Sequence, residues 1–181
     1  MRRLEVADLS FATLDALDVD ALALLVGPER PLQGLAGLAD WRLCGALTRA
    51  LAGGLYQAAP GEALLLPTGG RLPTGRVVAM GLPAPNRPEP FAAAARRLCE
   101  VLARAGITSF AVALPTVEGA DAAAAARLWL EAGGGPGAPL SRQVVLGDAR
   151  TLLADLSAAR TATGAAVELA TFAARPAAMV R

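Results

Sequence analysis

Apolar and polar positions change period along the chain, and each change marks an element. From Gly61 to Leu82, two apolar runs, Glu62 to Leu66 and Arg76 to Leu82, flank a loop of Gly, Pro, Thr and Arg. A connector of about nine residues is too short for a helical crossover, so the pair predicts an antiparallel hairpin. As the most strand-like stretch of the chain, it is expected at the centre of a sheet. Upstream, Leu4 to Phe11 alternates loosely, the pattern of an edge or half-exposed strand. Ala21 to Val26 is a continuous apolar run closed by Gly27-Pro28, as in a strand covered on both faces. Between them, Asp15 to Asp20 reads as a solvated acidic turn.

From Gly34 to Gly53 the period becomes helical: Leu43, Ala46, Leu47, Ala50 and Leu51 share a stripe, while Asp40, Arg42 and Arg49 fall outside it. One helix ending at Gly53-Gly54 is predicted. A proline-rich connector, Pro83 to Pro90, leads to a second helix with Glu89 at its cap, Pro90 in its first turn and Gly106 beyond its end. Its buried stripe is Phe91, Ala95, Leu98, Leu102 and Ala105. There follow a strand over Ile107 to Leu114, a helix over Asp121 to Ala132, a strand over Gln143 to Leu146, a helix from an Asp148 cap to Gly164, and a last strand over Val167 to Phe172. The order predicts one three-layer α/β/α domain over residues 1–181, with a mixed, mainly parallel sheet, right-handed crossovers and a short tail at 173–181.

Charge narrows the function classes. The 17 basic residues are all Arg, the acidic residues number 16 and His is absent, so no basic excess suggests a nucleic-acid partner. Arg96, Arg97 and Arg104 form the best basic patch, with Glu100 among them. No apolar run approaches the ~20 residues that span a bilayer, and the N-terminus lacks a signal-peptide core, which points to a cytoplasmic protein. Cys44 and Cys99 fall in apolar helical patterns and are read as small buried hydrophobes, and no metal or other cofactor is expected.

The segments Gly61-Glu62-Ala-Leu-Leu-Leu-Pro67-Thr68, Leu72-Pro73, Arg76-Val-Val and Gly81-Leu82 resemble the N-terminal domain of the leucyl aminopeptidase family. So do Asp20-Ala-Leu-Ala-Leu-Leu-Val26 and Ala105 to Pro115, and the resemblance runs from Leu4 to Leu156. It implies a macrodomain-like fold, which in that family precedes a two-metal catalytic domain and assembles as a hexamer. The family's metal ligands and catalytic lysine and arginine belong to that other domain, so the resemblance assigns no catalytic residue here. What it implies is a non-catalytic structural or interaction module, acting as a homo-oligomer or with a separate catalytic partner.

The alternative is a macrodomain-like binder of ADP-ribose or a related nucleotide. Backbone amides of glycine-rich loops can cradle phosphate oxygens, which singles out Thr68, Gly69 and Gly70 in the hairpin and Gly133 and Gly134 in the run Gly133 to Gly137. Arg71, Thr74 and Arg76 extend the hairpin set, since Arg forks match phosphate geometry. Against this stand Pro136, which contributes no donor, and the ordinary turn chemistry of such loops.

Overall fold

The computed structural model describes residues 2–121, 123–133 and 140–173. Its elements run β1 (Arg2–Asp8), α1 (Phe11–Ala16), β2 (Ala21–Val26), α2 (Gly34–Arg42), α3 (Ala46–Ala52), β3 (Ala63–Pro67), β4 (Arg76–Gly81), α4 (Pro88–Arg104), β5 (Ser109–Val112), α5 (Ala124–Ala132), β6 (Arg142–Gly147), α6 (Ala149–Thr163) and β7 (Val167–Thr171). The strands form one seven-stranded sheet in the order β3-β4-β2-β5-β6-β1-β7. Among these strands only the β3–β4 pair is antiparallel, with Leu65 opposite Val78, so the predicted hairpin and mixed sheet are observed.

Alternation along the interior strands builds two cores. Ala21, Ala23, Val78, Met80 and Val145 face α4, α5 and α6 around Phe91, Leu98, Leu102 and Trp129. Leu22, Leu24, Val77, Ala79, Val144 and Leu146 face α1, α2 and α3 around Leu14, Leu35 and Leu47. Three layers result. None of the described helices is long and apolar enough to cross a membrane.

Several local expectations change. The hairpin is at the margin of the sheet: β3 is its edge strand, and Leu65 is 54% exposed, with none of the described strands or helices covering that side. Conversely β1, expected at an edge, lies between β6 and β7. Its polar alternation misleads because Glu5 is buried by ion pairs with Arg3 and Arg142. The acidic turn is not simply solvated. Ser10 caps α1 by accepting from the Thr13 amide, and Asp15, within that helix, pairs with Arg42. Asp18 accepts from Arg142, and Asp20 accepts from the amides of Thr108 and Ser109 at the start of β5. Burial pushes the Asp20 carboxyl up, but these hydrogen bonds outweigh it and hold it below the usual carboxylate range.

The single helix predicted over Gly34 to Gly53 is two. Cys44 and Gly45 take positive φ, 54° and 77°, and turn the chain between α2 and α3. Cys44 is therefore exposed, whereas Cys99 is buried as expected, with its thiol pushed up to about 11 by burial. Asp40, which the helical wheel placed on the polar side, is buried, and its Oδ1 accepts from the α3 amides of Leu47 (2.8 Å) and Thr48 (3.2 Å). It caps the next helix from a distance. Asp40→Ala is expected to lower stability by about 1–2 kcal/mol, the cost of losing such a cap, read as a lower urea midpoint at unchanged m-value.

Candidate functional site

All parallel strands end at one edge of the sheet, and ligands of open α/β sheets characteristically bind in the crevice beyond that edge. Here the loops after β2, β4 and β5 and the start of α2 enclose an open cleft of about 660 Å³. Leu25, Leu82 and Leu114 supply apolar wall, and Glu29 and Glu118 supply carboxylates. Asn86 ties two of the loops: its Nδ2 donates to the Thr116 carbonyl (2.7 Å), and its own carbonyl accepts from the Glu118 amide (2.8 Å). Its Oδ1 is buried without a hydrogen-bond partner among the described residues. Beside this cleft, sharing Leu114, Pro115 and Thr116, is a second depression of about 460 Å³ bordered by Asp121 and Asp155.

The hairpin loop lies at the opposite edge, because it precedes β4. Thr68 is buried there, donating from Oγ1 to the Thr74 carbonyl (2.7 Å), and its amide donates to Gly75 (3.2 Å). Gly69 and Gly70 have φ of 59° and 77°, so both satisfy a turn that residues with a Cβ rarely adopt. Arg76 donates to the Ala105 carbonyl. Gly133 closes α5, and a Cβ there would lie 2.1 Å from Nη1 of Arg2, whose Nη2 donates to the Leu130 carbonyl (3.0 Å). Gly134 lies outside the described residues. The hairpin residues and Gly133 thus share the amino edge but are held by β4 and β1, four strand positions apart, and do not converge.

Sequence reasoning missed a surface cluster. Trp41 on α2 is 66% exposed, with the Phe11 ring of α1 5.1 Å away, and the Arg42 guanidinium lies 4.7 Å from the Phe11 centroid and 5.3 Å from that of Trp41. Asp15 holds Arg42 in place. An adjoining groove of about 750 Å³ runs from Pro31 past Trp41 and Cys44 to Arg71 of the hairpin loop. A signal for the cluster existed: Trp41 stands beside Asp40 and Arg42, off the apolar stripe. The cleft had a weaker one, in the Gly and Pro that close β2, β4 and β5. Among the described residues, no group of three or more His, Cys, Asp or Glu gathers as a metal site would require.

Comparison with known proteins fits this architecture. The model of the N-terminal domain of the cytosol aminopeptidase family matches residues 23–132. No curated protein sequence matches. Among solved structures, a mutant of tomato leucine aminopeptidase superposes with a TM-score of 0.60 at 16% identity, over 88% of this chain and 36% of the tomato chain. A Trypanosoma brucei macrodomain gives 0.68 at 17% identity, over 87% and 66% of the two chains. The Oceanobacillus iheyensis macrodomain with ADP gives 0.64 at 15% identity, over 88% and 90%. At these identities the superpositions establish the macrodomain-like fold. The chain spans about a third of the length of the tomato enzyme it matches.

Proposed function

The chain belongs to the cytosol aminopeptidase family, whose N-terminal domain it matches, and from that premise we propose that it works in the cytoplasm as a non-catalytic interaction module. The observation that carries the reading is the ordered aromatic surface of Phe11, Trp41 and Arg42. Trp and Arg dominate the energetics of protein interfaces, and side chains already fixed by one another lose little freedom on docking. The simplest occupant is a second copy of the chain, because a two-fold contact would set the Phe11, Trp41 and Arg42 patch of one copy against the same patch of the other. The chemistry of the chain is compatible with a non-catalytic role: without His or Lys, base catalysis would fall to carboxylates, the Cys99 thiol is buried and hard to ionise, and the exposed Cys44 thiol has no His or Lys to act as its base.

Sedimentation velocity over a wide concentration range tests the proposal. Self-association is expected, and Trp41→Ser should weaken it at least tenfold, since hot-spot truncations cost about 2 kcal/mol or more. Trp129 is fully buried, so acrylamide quenching reports mainly Trp41 and should fall as the oligomer forms. A strict monomer with a freely quenched Trp41 would falsify the reading.

A second reading, a binder of ADP-ribose or a related nucleotide, draws support from the cleft's position and from the ADP bound by the Oceanobacillus iheyensis macrodomain. Thr68, Gly69, Gly70, Gly133 and Gly134 stay the candidate contacts of this reading, although the hairpin residues and Gly133 lie at the opposite edge of the sheet and would have to hold a ligand there, not in the cleft. Two carboxylates in the cleft wall weigh against a pyrophosphate there.

A further inference from the structure

β3 ends the sheet, and its pairing with β4 decides which of its backbone groups face outward. Gly81 donates its amide to the Glu62 carbonyl (2.9 Å), and Thr68 donates to that of Gly75 (3.2 Å). In an antiparallel pair such bonds recur at every second residue, so Glu62, Leu64, Leu66 and Thr68 turn their backbone groups toward β4. Ala63, Leu65 and Pro67 turn theirs away from it. The side chains of these three are exposed as well, on the face opposite Leu64 and Leu66, which pack against the core under α1, α2 and α3. Sheets ordinarily blunt such an edge with charge, proline or a bulge. β3, with the sequence ALLLP, carries no charge, and its one proline stands at its end.

This edge is complementary to itself. Antiparallel pairing of two copies about Leu65 sets Leu65 opposite Leu65 and Ala63 opposite Pro67. The outward N–H of Leu65 then meets the Leu65 carbonyl of the other copy, and that of Ala63 meets the Pro67 carbonyl. Pro67 has no N–H, so no donor along β3 is left over. A two-fold axis normal to the sheet keeps the exposed face on one side in both copies, and the two Leu65 side chains become cross-strand neighbours. Charge at the two ends agrees. Glu62 precedes β3 and Arg71 follows it, and neither makes an ion pair among the described residues. The Glu62 Oε2 accepts from the amides of Gln57 and Ala59, which holds the carboxylate beside the strand. The Arg71 amide donates to the Thr68 carbonyl (3.1 Å), and its Nη1 is 3.9 Å from where a Gly69 Cβ would stand, which keeps the guanidinium by the first turn of the loop. In the register about Leu65, Thr68 falls opposite Glu62 and Gly69 opposite Gly61, so Arg71 of each copy comes beside Glu62 of the other.

We propose that β3 is a second self-association face, through which two copies of the chain pair edge to edge, antiparallel, into one continuous sheet. A second copy brings donors, acceptors and both charges to the right ends by symmetry alone. With only five residues in the strand, this is the weaker of the two contacts and acts at higher protein concentration. It shares with the proposed function the idea of an interaction module but uses none of Phe11, Trp41 or Arg42, and either contact can fail without the other. Two different two-fold faces on one chain carry assembly beyond a dimer.

Sedimentation velocity and residue-resolved amide hydrogen exchange on the whole chain, carrying Trp41→Ser to remove the aromatic contact, decide it. The expected result is a dimer at high protein concentration, with exchange of the Ala63 and Leu65 amides slowed at least tenfold relative to a dilute sample. Leu65→Pro deletes the central outward donor at a position where an edge strand accepts proline, and Arg71→Glu sets like charges together at both ends of the contact. Each should weaken the dimer at least tenfold. Arg71 is exposed, so its variant should keep the parent melting temperature and serves even where Leu65→Pro loses the fold. A Trp41→Ser chain that stays monomeric at every concentration overturns the proposal, whatever the wild-type chain does. So does a dimer whose Ala63 and Leu65 amides exchange as fast as in the monomer, or one that Arg71→Glu leaves as tight. Equal association of the wild-type and Trp41→Ser chains, with both amides slowed, supports this contact and counts against the aromatic one.

Discussion

Trp129→Ala is expected to cost about 3–5 kcal/mol, the range for deleting a large buried aromatic side chain, and so to remove much of the roughly 5–15 kcal/mol that holds a domain folded. Trp129 is fully buried on α5, packs edge-on against Phe110 of β5 at 6.1 Å between ring centroids, and donates from Nε1 to Gln143 Oε1 of β6 (3.0 Å). It therefore joins one helix to two neighbouring strands. Gln143 is itself completely buried, and its Nε2 has no partner among the described residues, so removing the indole leaves the whole amide stranded. The two contributions separate in a double-mutant cycle. Trp129→Phe keeps most of the ring and loses the donor, and it should cost less when Gln143→Leu is also present, because no acceptor is then left buried and unpaired. Urea unfolding of the four proteins supplies the numbers, and equal costs in both backgrounds would assign the effect to packing alone.

The second large effect is expected at Arg142. Its Nε and Nη2 reach Glu5 Oε2 at 3.1 and 2.8 Å, and its Nη1 reaches Asp18 Oδ1 at 2.8 Å. Burial pulls this guanidinium down, yet the hydrogen bonds to Glu5 and Asp18 outweigh it and hold the group firmly charged. Glu5 is only 3% exposed, so Arg142→Ala leaves a buried carboxylate with Arg3 as its remaining cation, and Arg3 is itself half in solvent. Breaking such a pair from one side costs about 3–5 kcal/mol, and the lower end applies here because Arg3 stays. Arg142→Lys should recover little, since an ammonium cannot serve both carboxylates with the geometry of the fork. Replacing both partners, Glu5→Met with Arg142→Met, should recover most of the loss. A double variant as unstable as Arg142→Ala would show that the charge pair itself contributes, beyond the avoidance of a stranded acid.

Legibility of the fold tracks burial. β2 is bounded to the residue because Ala21 to Val26 is apolar on both faces and Gly27-Pro28 stops it. β6 and α6 are legible because Val144 and Val145 are buried on opposite faces and Asp148 caps the helix, its side chain accepting from Thr151. α4 starts before the expected cap, with Arg87 at the cap position and both prolines in a first turn that needs no donors. Errors arise where a distant partner overrides local pattern. Glu5 looks like a solvent residue until Arg142 arrives from 137 positions away. The break at Cys44 and Gly45 is invisible because Leu43 and Leu47 keep helical spacing across it. The cleft is hardest to read, since Glu29, Asn86 and Glu118 belong to three separate loops and meet only when β2, β4 and β5 align.

The place of β1 between β6 and β7 bears on how the protein is made. During synthesis β1 emerges before every other strand of this sheet, while its two neighbours, β6 and β7, are the last two of these strands to be made. At ~5–20 residues per second, roughly 7–30 s separate β1 from β6. Through that interval β2, β4 and β5 can pair and the helices between them can pack, but β1 has no neighbour to join. The nascent chain therefore carries β1 unpaired until β6 and β7 have been translated, and the sheet closes in a step that also assembles Glu5 with Arg142.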